Sequence, residues 1–164
     1  MRSIRFDARG YLQPEGLIEL TVEEFEDLFV SQFEDFRTRR SIFDNFKRYN
    51  QDLKEVIGIE FIQWIDGSFV SNKEHPNDLD FITFIEWQNY SQYEKEIDNR
   101  FSKWSVGRYY ENLDAYTISE YPEGHRFYQT FLADRAYWYE WFSNSQYNRA
   151  KKRFSKGFVQ IKTT

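Results

Sequence analysis

The chain has 164 residues, the length of one domain able to bury a full core, and 21% of them are aromatic (17 Phe, 12 Tyr, 5 Trp). Only seven Gly, three Pro and one Met accompany them, which excludes low-complexity, collagenous and linker-rich classes. The lack of Cys removes disulfide frameworks and thiolate metal sites, and a formal charge of −5 argues against a general nucleic-acid coat.

The opening, Phe6 to Leu20 with Gly10, Pro14 and Gly16, reads as an irregular arm on a single domain spanning 1–164. Thr21 and Glu24 form a capping box, and Phe25, Leu28, Phe29 and Phe33 follow at helical spacing. A second helix is predicted from Arg37 through Ile42, Phe43, Phe46, Tyr49, Leu53, Val56 and Ile57, ending at Gly58. Arg37, Arg39 and Arg40 open it where positive charge is unfavourable, so pairing with Glu34, Asp35 or a partner is expected. Strands are predicted at Glu60 to Ile65, Asp78 to Ile85 and Leu113 to Ile118, with a late edge strand at Gly157 to Lys162. Helices are predicted at Asn89 to Trp104 and Glu123 to Asn144. The sum is an α+β fold: a small mixed sheet packed by helices, with a helical N-terminal extension. No apolar run reaches membrane-spanning length and the first residues, Met1 to Asp7, lack a signal-peptide core, so a soluble, cytoplasmic chain without membrane contact is expected.

The stretch richest in chemistry is Trp64-Ile65-Asp66-Gly67-Ser68, nine residues, then Asp78-Leu79-Asp80-Phe81. On a strand, residues two apart share a face, which sets the Asp78 and Asp80 carboxylates side by side with Cα atoms about 6–7 Å apart. Two like charges so placed call for a cation, and Mg²⁺ suits them because it takes oxygen ligands from one or two carboxylates plus substrate phosphates. Gly67 has no Cβ to keep a phosphate from the backbone, and Ser68 adds a donor.

These residues resemble the signature of the DNA polymerase β-like nucleotidyltransferases: an apolar residue, Gly-Ser, a spacer of this length, then Asp-apolar-Asp. The resemblance implies that Gly67 and Ser68 contact the phosphates of a nucleoside triphosphate and that Asp78 and Asp80 hold two Mg²⁺ ions. It also implies a third carboxylate from a later strand, a place that Asp114 in Leu113-Asp114-Ala115-Tyr116 fits. Over most of its length the chain looks like a group of small bacterial nucleotidyltransferase-like proteins. The motifs are Gly10 to Gly16, Trp64 to Phe69, Pro76-Asn77-Asp78-Leu79-Asp80 and Lys156-Gly157. The activity implied is transfer of a nucleoside monophosphate to a protein or RNA acceptor, in a toxin-antitoxin or phage-defence setting with a protein partner. The alternative is a non-catalytic antitoxin or binding subunit that acts by contact alone. The chain departs from the pattern in two places. Phe69-Val70-Ser71-Asn72-Lys73 replaces a small residue and an Arg-Gly pair, leaving Lys73 as the phosphate cation, and Asp66 stands where an apolar residue is usual.

Arg149, Lys151, Lys152, Arg153 and Lys156 form a basic cluster read either as a solvated helix end or as a phosphate or RNA clamp, with Lys156 reaching the triphosphate. His125 reads as a surface residue at a helix start, and His75 is assigned no role. The Tyr and Trp residues between Tyr109 and Tyr147 exceed the needs of a small core and point to a base-stacking or partner surface.

Overall fold

The Thr21 hydroxyl accepts the Glu24 N–H at 3.1 Å while the Glu24 carboxylate accepts the Thr21 N–H at 2.8 Å, so the capping box forms as expected. In this computed structural model, which describes residues 3–164 and every side chain among them but that of Phe36, the box starts α1 (Val22–Glu26). A π-helical turn over Asp27–Ser31 continues α1 and buries Phe29 and Val30 beside Phe25. The long helix α2 (Phe36–Ile57) starts on the Asp35 side chain and ends at Gly58, whose φ of 71° is the left-handed conformation that favours glycine.

The segment expected to be an irregular arm contributes three short strands. Two of them, β1 (Arg5–Phe6) and β2 (Leu12–Gln13), pair with each other, and β3 (Gly16–Leu20) joins the main sheet. That sheet is completed by β4 (Phe61–Asp66), β5 (Leu79–Glu86), β6 (Leu113–Glu120) and β7 (Gly157–Thr163), in the order β3-β7-β4-β5-β6. It is mixed, since β3 and β7 run parallel, β4 is antiparallel to both β7 and β5, and β5 and β6 run parallel. The last strand is therefore interior rather than the edge strand expected, because β3 covers its outer side.

Alternation along the strands divides the core. Phe61, Ile65, Phe81 and Val159 face α1 and α2, where the Phe46 and Tyr49 rings meet Phe81 edge-on at 5.0 and 4.9 Å. Trp64, Ile82, Phe84 and Phe158 face Phe131 and Phe142 of α5 (Tyr128–Phe142). Each buried ring of this kind contributes about 2–3 kcal/mol of transfer free energy. The predicted helix over Asn89 to Trp104 is broken into α3 (Trp87–Gln92), α4 (Glu94–Glu96) and a π-helical turn (Ile97–Phe101). Among the described residues, no helix is long and apolar enough to cross a membrane.

Candidate functional site

Strand register creates the site. Asp66 on β4 lies opposite Asp80 on β5, and Asp80 lies opposite Asp114 on β6. Residues directly opposite share a face, so three aspartates line up across three adjacent strands about 4.8 Å apart. The face is the one α5 covers, since Trp64, Ile82 and Tyr116, each two residues from the aspartate of its strand, belong to that core. Asp78 precedes Asp80 by two residues and adds its charge. Burial first, then the charges of Asp78, Asp114 and Asp66 and a hydrogen bond with Asp114, push the Asp80 carboxyl up to about 7.

Glycine is required next to this carboxyl. Gly67 has φ +81°, and a Cβ there would stand 2.1 Å from Asp80 Oδ2. A 3₁₀ turn over Ser68–Val70 follows, and the Ser71 hydroxyl closes it by donating to the Ser68 carbonyl at 2.6 Å. Arg39 fixes the rest of the loop. Its guanidinium donates to the carbonyls of Phe69 (2.6 Å), Ser71 (3.0 Å) and Lys73 (2.5 Å), and to Phe29 at 2.8 Å on the turn after α1. The Phe33 ring lies 3.6 Å from the guanidinium carbon, and burial lowers the Arg39 pKa to about 10 against the opposing charge of Glu74.

Lysines neutralise both ends of the row. Lys156 is buried, bonded to Asp66 and to the Phe142 carbonyl at 2.9 Å, which is the C-terminal end of α5. Burial pushes the Asp66 carboxyl up while Lys156 pulls it back. Lys103 donates to Asp114 and sits 5.0 Å from the centre of the Tyr116 ring. The central carboxyl, Asp80, has no lysine partner of its own among the described residues.

Two clefts flank the row. The first, about 640 Å³, lies between the Gly67–Ser71 loop and the segment after α5, with Trp141, Tyr147, Arg153 and Lys156 on its walls. The second, about 400 Å³, is lined by Lys103, Trp104, Tyr116 and Thr117 on the Asp114 side.

The structure thus brings Gly67, Ser68, Asp78, Asp80 and Asp114 together, with Asp66 among them. Lys156 is at the site, but its ammonium is engaged by Asp66 and is not free for a phosphate. The Lys73 side chain is exposed and does not line the cleft; its backbone carbonyl is what Arg39 uses. The basic cluster is not a helix end, because α5 stops at Phe142 and Arg149, Lys151 and Lys152 project from the loop beyond it. Arg153 pairs with Glu140, and Arg40 pairs with Glu26 rather than with Glu34 or Asp35. His125 is half-buried against the Trp87 and Tyr121 rings at 4.7 and 4.6 Å. Sequence reasoning missed Arg39 and Lys103. Arg39 carried a signal, since it stands three and four residues before Ile42 and Phe43 and so lies in phase with the apolar stripe of α2.

Among the described residues, no group of three or more His, Asp or Glu side chains is arranged to hold a metal ion by itself. Mg²⁺ asks for less than that, one or two carboxylates with phosphate oxygens and water supplying the rest. Asp80 with Asp78 or Asp114 meets this requirement chemically: all are hard oxygen donors, and the repulsion that adds to burial in raising the Asp80 pKa is what a cation relieves.

Fold and site define an α+β protein with a row of carboxylates between two clefts at one end of a five-stranded mixed sheet. The chain belongs to the DUF6932 family, a family of unknown function whose model matches residues 4–162. No curated protein and no solved structure matches it.

Proposed function

We propose that the protein is a Mg²⁺-dependent nucleotidyltransferase that moves a nucleoside monophosphate from a nucleoside triphosphate onto an acceptor hydroxyl. The observation that carries this reading is the alignment of Asp66, Asp80 and Asp114 across β4, β5 and β6, with Gly67 turned tightly against Asp80. The strand-turn-strand order, the Gly-Ser loop and the third acid from a later strand agree with the polymerase β-like pattern.

In this reading Asp80, with Asp78 or with Asp114, would hold Mg²⁺, which would neutralise the triphosphate and favour displacement at the α-phosphorus. The Gly67–Ser71 loop, held by Arg39, cradles the phosphates. The first cleft takes the nucleoside, with the half-exposed Trp141 and Tyr147 rings available to stack on a base and Arg153 beside them. The acceptor oxygen bonds to the α-phosphorus, the bond to the β-phosphate oxygen breaks, pyrophosphate leaves, and the hydroxyl proton passes by way of the carboxylates to water. Lys156 keeps Asp66 from adding a net charge where the triphosphate lies.

The test is incubation with each α-labelled nucleoside triphosphate, Mg²⁺ and candidate acceptors. Label transfer that disappears in Asp78→Asn and Asp80→Asn supports the enzyme. A second reading, a binding subunit that neutralises a partner by contact, is favoured by the ion pairs that already satisfy Asp66 and Asp114. Partner neutralisation that survives both substitutions decides for it.

A further inference from the structure

The two clefts differ in charge. The first is balanced, Arg153 being paired with Glu140 and Lys156 with Asp66, beside the Gly67–Ser71 loop. In the second the one cation, Lys103, is bonded to Asp114, while Asp98 lines the cleft and, with Glu94, lies within electrostatic reach of the Tyr90 hydroxyl. A polyanion is therefore repelled from the second cleft more than from the first. The second cleft also presents Trp104 at 87% exposure, the most exposed large apolar side chain among the described residues, next to Tyr116 and the Thr117 hydroxyl. An unpartnered Trp beside aromatic and hydroxyl groups is the kind of anchor protein interfaces bury. Through Lys103 and Asp114 this surface is continuous with the carboxylate row, on the side away from Gly67.

We propose that the second cleft is the acceptor subsite and that its occupant is a hydroxyl-bearing side chain, tyrosine, serine or threonine, on a protein segment with neutral or basic flanks. This rests on the nucleotidyl-transfer reading: donor nucleotide enters on the β4 side, acceptor on the β6 side, and Asp80 lies between them. Trp104 packs against the acceptor segment, and Asp98 with Glu94 select against acidic flanks and against nucleic acid. The new O–P bond forms on the acceptor oxygen, pyrophosphate departs through the first cleft, and the hydroxyl proton ends on water.

The experiment supplies Mg²⁺ and the α-labelled nucleoside triphosphates with two acceptors together. One is a lysine-rich peptide containing Tyr, Ser and Thr, and the other is a single-stranded oligoribonucleotide with a free 3′ hydroxyl. Nucleotide affinity is measured separately by calorimetry. The expected result is label on the peptide, a rise of about tenfold in peptide KM for Trp104→Ala with nucleotide affinity unchanged, and a shift of Asp98→Lys toward a glutamate-rich version of the peptide. Trp104 is exposed, so its removal leaves the fold intact. Label on the oligoribonucleotide, label on the peptide unchanged in both variants, or nucleotide binding with no label on either acceptor overturns the acceptor assignment. Failure of the wild type to bind any nucleotide overturns instead the parent reading.

Discussion

A carboxyl group in water loses its proton near pH 4, whereas Asp80 holds its proton up to about 7. Because its folded pKa lies above the unfolded one, its protonated form favours the fold. That stabilisation is complete below the ordinary carboxylate range and is lost as pH rises through about 7. Asp80→Asn keeps the shape and deletes the charge. In the metal-free protein it is expected to match wild type near pH 4 and to exceed it by about 1–3 kcal/mol above pH 7, read from urea unfolding, while abolishing label transfer. Equal stability of the two proteins at pH 8 would remove the electrostatic account of this site. Arg39 gives the opposite result. Arg39→Met leaves four backbone carbonyls without their donor, and a loss of at least about 3 kcal/mol is expected in the same unfolding experiment. Arg39→Lys restores only part of it, because one ammonium cannot span carbonyls that a planar guanidinium reaches from two nitrogens.

Helix ends offer smaller and separable tests. Thr21→Ala removes one half of the capping box of α1 and is expected to cost about 1 kcal/mol. Gly58→Ala meets no atom within 4 Å, so its expected cost of about 1–2 kcal/mol is that of holding an L-residue at φ 71°. Thermal unfolding of the two variants checks both, with no loss of transfer activity. These two ends were readable in the sequence because a cap and a terminal glycine are local chemistry. So were β4, β5 and β6, whose β-branched and aromatic runs are bounded by turns, and with them the acidic motif. What escaped was set by distant partners. Two-residue strands such as β1 and β2 carry no period to detect. The interior place of β7 depends on parallel pairing with β3, from Gly16 opposite Gly157 onward. The ends of α5 were blurred because its aromatic residues lie on all sides, Phe131 and Phe142 buried but Tyr137 and Trp141 exposed. The engagement of Lys156 by Asp66 spans 90 residues, and nothing in either neighbourhood announces it.

Across the whole molecule the aromatic surplus sorts itself by place. Most of the Phe residues fill the two faces of the sheet, while Tyr109, Phe127, Tyr137, Tyr139, Trp141 and Tyr147 remain exposed in the stretch expected to bear a base or a partner. Among them Trp141 and Tyr147 wall the first cleft, whose about 640 Å³ is of the size that holds a small-molecule ligand. Binding there couples to stability through the charge on Asp80. A Mg²⁺–nucleoside triphosphate complex at about 100 times its Kd adds about 2.7 kcal/mol to the folded state, a rise of about 5–10 °C in Tm for a chain of this size. Since the cation relieves repulsion only among ionised carboxylates, the rise is expected to be larger at pH 8 than at pH 5.5 and to vanish when the nucleotide is added with a chelator in place of Mg²⁺. Scanning calorimetry at the two pH values decides it. A Tm rise that is indifferent to both pH and Mg²⁺ would place the nucleotide away from the carboxylate row, and a rise confined to pH 8 with Mg²⁺ ties ligand, ion and Asp80 to one site.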